Sequence, residues 1–197
     1  MASARRDLRR RLFETAASQG GYFTAAQAKE MGYSYQAQAH HVSAGNWLRV
    51  DRGLFRLAEW VPGLHDELAR WTLWSRGRGI VSHETALSVH GIGELESDRV
   101  HLTVPPGFTM RHKAVILHVA ELSKADAIPM GGFTVTSPAR TIIDVAASTD
   151  QDQLARLIDD ARQAGLVTSR SLRTRAEQVD PRAALNIERA LHRMESQ

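Results

Sequence analysis

The fold class predicted for this 197-residue chain is α+β: an N-terminal winged helix-turn-helix followed by a mixed α/β domain ending in helices. Three observations predict it. Residues Phe23–Leu57 read as two short helices around a Gly turn, then two period-two segments around Asp51-Arg52-Gly53, the order of helices and hairpin in a winged module. Beyond Val61-Pro62-Gly63, short β-prone runs alternate with helical ones, and from Thr149 onward only helical periodicity remains. The expected division is therefore a module at 1–60 and a second domain at 64–197.

The first helix is expected over residues 4–18, where Leu8, Leu12 and Ala16 recur every four positions and Phe13 and Ala17 widen the stripe. Arg5, Arg6, Arg9 and Arg10 take mostly the other faces. Such a run is ordinarily a solvated face; beside a DNA-binding module, Arg5 and Arg6 become candidates for phosphate contact. Gly20-Gly21 ends the helix. Thr24 with Gln27 forms a capping-box pattern, with Phe23 and Ala28 as its hydrophobic staple. The second helix then runs to about Met31 and stops at Gly32. Ser34 is a good N-cap for a third helix reaching about Ala44.

That third helix is the expected reading element, because the N-terminal part of a recognition helix enters the major groove. It is polar, and Val42 is its only strong apolar anchor, so Gln38 and His41 are left open between packing inward and lying on the flank. Ser34, Tyr35, Gln36 and His40 are expected to face DNA. Thr24, at the start of the preceding helix, joins the set. In the hairpin, Leu48, Val50, Phe55 and Leu57 are expected on the core face, leaving Arg49, Arg52 and Arg56 outward or at the tip.

Further on, Asp66–Arg76 reads as a helix with Leu64, Leu68, Trp71 and Trp74 on one face. Ile80-Val81 is a short strand, and Ser82 caps a helix ending at Gly91. Val100–Val104 is a strand stopped by Pro105-Pro106-Gly107. Ala114–Ala120, the most β-prone run, is expected at the centre of the sheet. Phe133–Val135 is another strand, and Ser137-Pro138 places an N-cap and an N1 proline before ARTIIDVAA. A capping-box pattern at Thr149–Asp152 opens a helix to Gly165, with two more over about 170–178 and 182–195.

Composition narrows function. Hydrophobic content of 43% and charged content of 24% are those of a globular protein, and no apolar run approaches the length of a membrane span. The N-terminus lacks the apolar segment of a secretory signal, and the chain has no Cys, which together point to the cytoplasm. The net charge of +3 is unevenly spread: residues 1–60 hold nine Lys/Arg against five Asp/Glu, and the remainder sixteen against seventeen. The surplus lies where phosphate contacts need it.

Catalytic motifs are missing. His83-Glu84 opens like a zincin helix, but Leu87 stands where the second His belongs. Lys113 and Lys124 lie beside no strand-borne carboxylate pair of the kind a nuclease uses. His83, His90, His101, His112 and His118 read as scattered surface or core residues. No catalytic residue, metal site or cofactor is expected, and the chain reads as a non-enzyme.

Several segments carry a resemblance. GGYFTAAQAKEMGYS and GNWLRVDRGLFRL in the first half are followed by VSHETALSVHGI, VHLTVPPG, FTVTSPARTIIDVA and DDARQAGLVT. In this order, over about residues 10–175, they resemble the AbiEi-type antitoxins of bacterial type IV toxin–antitoxin (abortive infection) systems. The resemblance implies a winged helix that binds inverted repeats in its own promoter and represses the operon. It also implies a C-terminal domain that neutralises a cognate nucleotidyltransferase toxin, the protein being a monomer or weak dimer that pairs on DNA. No residue is assigned to toxin contact, and Arg140 and Thr141 are left between that role and holding the domain together. The alternative is a stand-alone winged-helix regulator whose C-terminal domain senses a small ligand.

Overall fold

The computed structural model describes residues 2–93 and 97–195, with side chains from residue 5. Two compact units form. The first runs to Arg78 and includes Pro129–Phe133; the second takes Gly79–Ile128 and continues from Thr134.

In the first unit, α1 (Ala2–Ala17) buries Leu12 and Ala16, as the four-residue spacing requires. The chain turns at Gly20-Gly21. Gly21 has φ +82°, and a Cβ there would lie 2.3 Å from Cγ of Trp60, so both backbone conformation and space demand glycine. A short strand follows, β1 (Tyr22–Thr24), where only a helix start was anticipated. The capping box at the head of α2 (Ala25–Glu30) is present: Thr24 Oγ1 accepts from Gln27 N, and Gln27 Oε1 accepts from Thr24 N. Ser34 caps α3 (Tyr35–Ser43).

β2 (Trp47–Asp51) and β3 (Leu54–Leu57) form the hairpin, and the sheet runs β1-β3-β2, antiparallel throughout. Trp47, not Leu48, faces the core: Trp47 is 4% exposed and Leu48 40%. Opposed residues of an antiparallel pair share a face, and Trp47 opposes Leu57 while Arg49 opposes Phe55. The expected set was one residue out of phase, which turns every side chain of the strand over. Trp47 fills the space between Phe23, Tyr33 and Phe55, its ring edge-on to Phe23 at 4.8 Å.

The break at Val61-Pro62-Gly63 does not end this unit. α4 (Asp66–Trp74), with Leu68, Ala69 and Trp71 buried, packs on β1 and β3, so the first unit extends to Arg78. A hairpin turn in the sequence and a run of Pro and Gly mark a loop; which side of it a helix packs on is a tertiary matter.

The second unit contains β4 (Ile80–Val81), α5 (His83–His90), β5 (Val100–Val104), β6 (Val115–Val119) and a 3₁₀ turn at Lys124–Asp126. A hairpin of β7 (Ala127–Met130) and β8 (Phe133–Thr136), whose tip is counted with the first unit, leads to α6 (Pro138–Ala146), α7 (Gln151–Gln163), α8 (Ser169–Val179) and α9 (Pro181–Glu195). Among the described residues the strand order is β6-β5-β4-β8-β7, with β4–β5 antiparallel and β4–β8 and β5–β6 parallel. The Ala114–Ala120 run is thus an edge strand, not a central one. Only Val115 of β6 is fully buried, because the strand has a neighbour on one side alone. The centre goes to β4, only two residues long, which β5 and β8 flank.

The main core of this unit is helical. Ile142, Ile143 and Val145 of α6 meet Leu154, Leu157 and Ile158 of α7, Leu172 of α8, and Ile187 and Leu191 of α9. The caps at Ser137 and Asp150 are made by side chains accepting from Arg140 N and Gln153 N.

Candidate nucleic-acid interface

The outward face of α3 follows from what its other face must bury. Gln38 is 3% exposed, and its amide donates to the carbonyls of Ala25 (3.1 Å) and Tyr33 (3.0 Å). A buried amide needs such partners, and these two lock α3 against the start of α2. His41 stacks on Trp47 at 4.7 Å and 12°. Burial, with help from neighbouring His40, lowers the His41 pKa, which accords with a ring packed on Trp47. With Gln38 and His41 turned inward, Tyr35, Gln36 and His40 are left exposed, together with Ala39 and Ser43.

The expected interface residues divide into two groups. Arg5, Arg6, Ser34, Tyr35, Gln36, His40, Arg49 and Arg52 are all exposed. Tyr35 stands 66% exposed with the Lys29 ammonium 5.2 Å from its ring centroid, which places a cation and a hydroxyl side by side at the helix start. Ser34 Oγ and Thr24 Oγ1 both accept capping bonds, and Thr24 is only half-exposed. Arg56 projects from the face of β3 away from Phe55, yet lies half-buried, because it stands opposite Tyr22 of β1 with its guanidinium over that ring. Arg9 is engaged with Glu59 at 2.9 Å.

The hairpin tip is held from two sides. Gly53, at φ +70°, accepts from Ala25 N at 2.9 Å, and Asp51 Oδ1 accepts from Arg52 N at 2.6 Å. Arg52 projects from this tip. Sequence reasoning missed the contribution of α4, which sends Arg70 Nη2 to the Val50 carbonyl at 3.3 Å.

Two polar clusters occur in the second unit. Asp126, 1% exposed, takes both Nε and Nη2 of Arg175 (2.9 and 2.6 Å), the backbone N and Oγ of Ser123, and a looser contact from Arg140 at 3.5 Å. Burial alone would raise the Asp126 pKa; the Arg175 and Ser123 hydrogen bonds outweigh it and carry the carboxyl below its usual range. Arg140 also donates to Asp144 at 2.7 Å, yet burial pushes Asp144 up to about 6. Thr141 bonds the Thr136 and Ser137 carbonyls. Arg140 and Thr141 therefore hold the unit together.

Three of the five histidines, His83, His101 and His118, come together, while His90 and His112 lie apart from them. His83 stacks on His118 at 3.4 Å, and His101 Nδ1 lies 3.1 Å from His118 Nε2 and 2.7 Å from Glu84 Oε2. Burial drives the His83 pKa down to about 3, and the His101 contact holds Glu84 at about 2. His101 and His118 come together through the parallel pairing of β5 with β6. No spacing along the chain announces that. Among the described residues no group of three His, Asp or Glu could hold a metal ion, and no helix is long and apolar enough to cross a membrane.

A basic three-stranded winged helix with an unencumbered polar face on its third helix is the architecture of a DNA-binding transcriptional regulator. Residues 10–58, the helices and hairpin of the first unit, match the family model described as "Transcriptional regulator, AbiEi antitoxin". The whole fold is similar to the crystal structure of the RV2827C protein from Mycobacterium tuberculosis, with a TM-score of 0.60 over 93% of this chain and 77% of that one. At 12% identity that likeness is one of fold. No curated protein matches the sequence.

Proposed function

We propose that this chain is an antitoxin that represses its own operon through the winged helix and neutralises a cognate nucleotidyltransferase toxin, acting by binding and not by catalysis. The observation that carries the DNA half is the α3 face. Tyr35, Gln36 and His40 are exposed on one helix, and Arg49 and Arg52 are exposed on the adjoining hairpin. Gln matches the donor–acceptor pair of adenine in the major groove, and the arginines supply phosphate contacts. The match of residues 10–58 to the antitoxin regulator family supports the second half.

Fluorescence anisotropy of the full chain on duplex DNA from its own promoter, against a scrambled duplex, tests the first half. Tight binding to promoter DNA that weakens steeply with salt is expected. Equal binding to both duplexes, or binding indifferent to salt, would overturn it. The second half is tested by co-expression with the nucleotidyltransferase of a neighbouring gene. Growth rescue is expected, and its failure with a folded, expressed antitoxin would overturn that half alone.

A further inference from the structure

Arg70 lies on α4, beyond the segment that matches the regulator family and outside the 1–60 module read from the sequence. Its side chain is 20% exposed, and its guanidinium is turned toward the hairpin. Nη2 donates to the Val50 carbonyl at 3.3 Å and stands 3.9 Å from Asp51 Oδ2; Nη1 lies 3.7 Å from Glu67. The plane of the guanidinium sits 4.5 Å from the ring centroid of Trp71, which is buried.

The position of Val50 matters. Between β2 and β3 the register passes from Arg49 opposite Phe55 to Asp51 opposite Leu54, so Val50 is the extra residue of a β-bulge. A bulge leaves that residue outside the ladder and sets the local bend of the strand. Beyond it only the turn Asp51-Arg52-Gly53 remains, where β2 is the edge strand of the three-stranded sheet and pairs with β3 alone. Arg70 supplies the bulge carbonyl with a charge-assisted donor. It also faces Asp51, whose other oxygen accepts from Arg52 N. On the opposite side the Gly53 carbonyl accepts from Ala25 N, and the Ala25 carbonyl accepts from the Gln38 amide of α3. A continuous polar chain thus runs from α4 through the wing tip and the start of α2 to the recognition helix.

We propose that Arg70 is a positioning residue for DNA binding: it fixes the bulge at Val50 and thereby holds the Arg52 guanidinium at a set distance from the reading face of α3. The proposal rests on the DNA-binding reading above. Arg70 acts through Arg52 and makes no phosphate contact itself, since its Nη1 and Nη2 donors face Val50, Asp51 and Glu67 and its Nε is buried. Holding the tip in place before DNA arrives spares the ordering cost that a loose hairpin would incur on binding.

The test is a double-mutant cycle on the full chain, read as anisotropy on promoter duplex across a salt series. Arg52→Ala is expected to weaken binding about tenfold at low salt and to reduce the log–log salt slope by about one. Arg70→Ala should produce most of the same loss, and the double variant should bind no more weakly than Arg52→Ala alone. Additive losses would mean that Arg70 contacts DNA directly and would overturn the proposal, as would wild-type affinity in Arg70→Ala. A readout without DNA is the amide exchange of Arg52, which should quicken in Arg70→Ala; unchanged protection there also overturns it. If Arg70→Ala does not fold, Arg70→Lys enters the same cycle. Its single ammonium cannot reproduce the planar fork, and an intermediate, non-additive loss is expected. Should the wild type itself show no salt-dependent promoter binding, the functional reading fails, while the exchange measurement still decides the role of Arg70 at the tip.

Discussion

The orientation of α3 can be tested without knowing the operator, through Gln38. Replacing it by Met keeps most of the volume and removes the amide, so the hydrogen bonds to the Ala25 and Tyr33 carbonyls at 3.1 and 3.0 Å are lost. Each net intramolecular hydrogen bond contributes about 1 kcal/mol, giving a loss of about 2 kcal/mol for the pair. The thioether recovers part of this through apolar contact, so about 1–2 kcal/mol is the expected destabilisation. For a unit of this size that corresponds to a fall of roughly 4–16 °C in Tm. Gln36→Ala, on the exposed face two residues earlier, should change stability by no more than about 0.5 kcal/mol. Thermal melts followed by circular dichroism and urea titrations report both. If Gln38→Met is neutral while Gln36→Ala destabilises, the helix is rotated from the orientation described. Tyr35, Gln36 and His40 would then not be the exposed set on which the proposed DNA contact rests.

On DNA, Gln36→Ala should relax sequence preference with little change in the salt slope, measured by competition between promoter and mutated duplexes. In the second unit, Asp126→Ala leaves the guanidinium groups of Arg175 and Arg140 without their shared carboxylate and should cost about 3–5 kcal/mol in denaturant unfolding. Wild-type behaviour there would refute the ion-pair geometry. The His83 pKa is depressed from 6.5 to about 3, so its contribution to stability is present above 6.5 and is lost as pH falls toward 3. The slope contributed is at most one proton, about 1.4 kcal/mol per pH unit. Glu84, lowered from 4.5 to about 2, extends the loss below pH 4.5. His83 sits at φ +51°, which Asn tolerates, so His83→Asn should keep the fold and flatten the limb between pH 6.5 and 4.5. An unaltered pH profile would place the titration elsewhere. Asp144 has the opposite sign. Raised to about 6, it contributes stability present below its ordinary pKa of 3.8 and lost as pH rises through 6, so Asp144→Asn should remove that decline from equilibrium unfolding measured across this range.

Much of the local structure is written in short-range signals. The capping box of Thr24 with Gln27, the Ser34 cap and the Ser137-Pro138 start all occur where the residues predict them. These features close hydrogen bonds three or four residues apart, so a few neighbouring side chains decide them. The polar character of α3 was also legible, since Val42 is its one strong aliphatic residue. Its rotation was not. Gln38 points inward because carbonyls at Ala25 and Tyr33 wait for it, and no property of glutamine predicts that pairing.

By itself, then, the sequence determined the order of the helices and of every strand but β1 and β7, the basic excess of the front segment and the polar third helix. Tertiary structure decided what depends on partners distant in the chain. Trp47 displaced Leu48 from the core because Leu57 and Phe55 set the parity of β2. The run at 114–120 became an edge because the short β4 took the centre between β5 and β8. His83, His101 and His118 met through strand pairing, and α4 joined the first unit, bringing Arg70 to the wing. Sequence period records which residues are apolar and how often. It carries no information on which carbonyl or ring they will meet, and that choice assembles the interface.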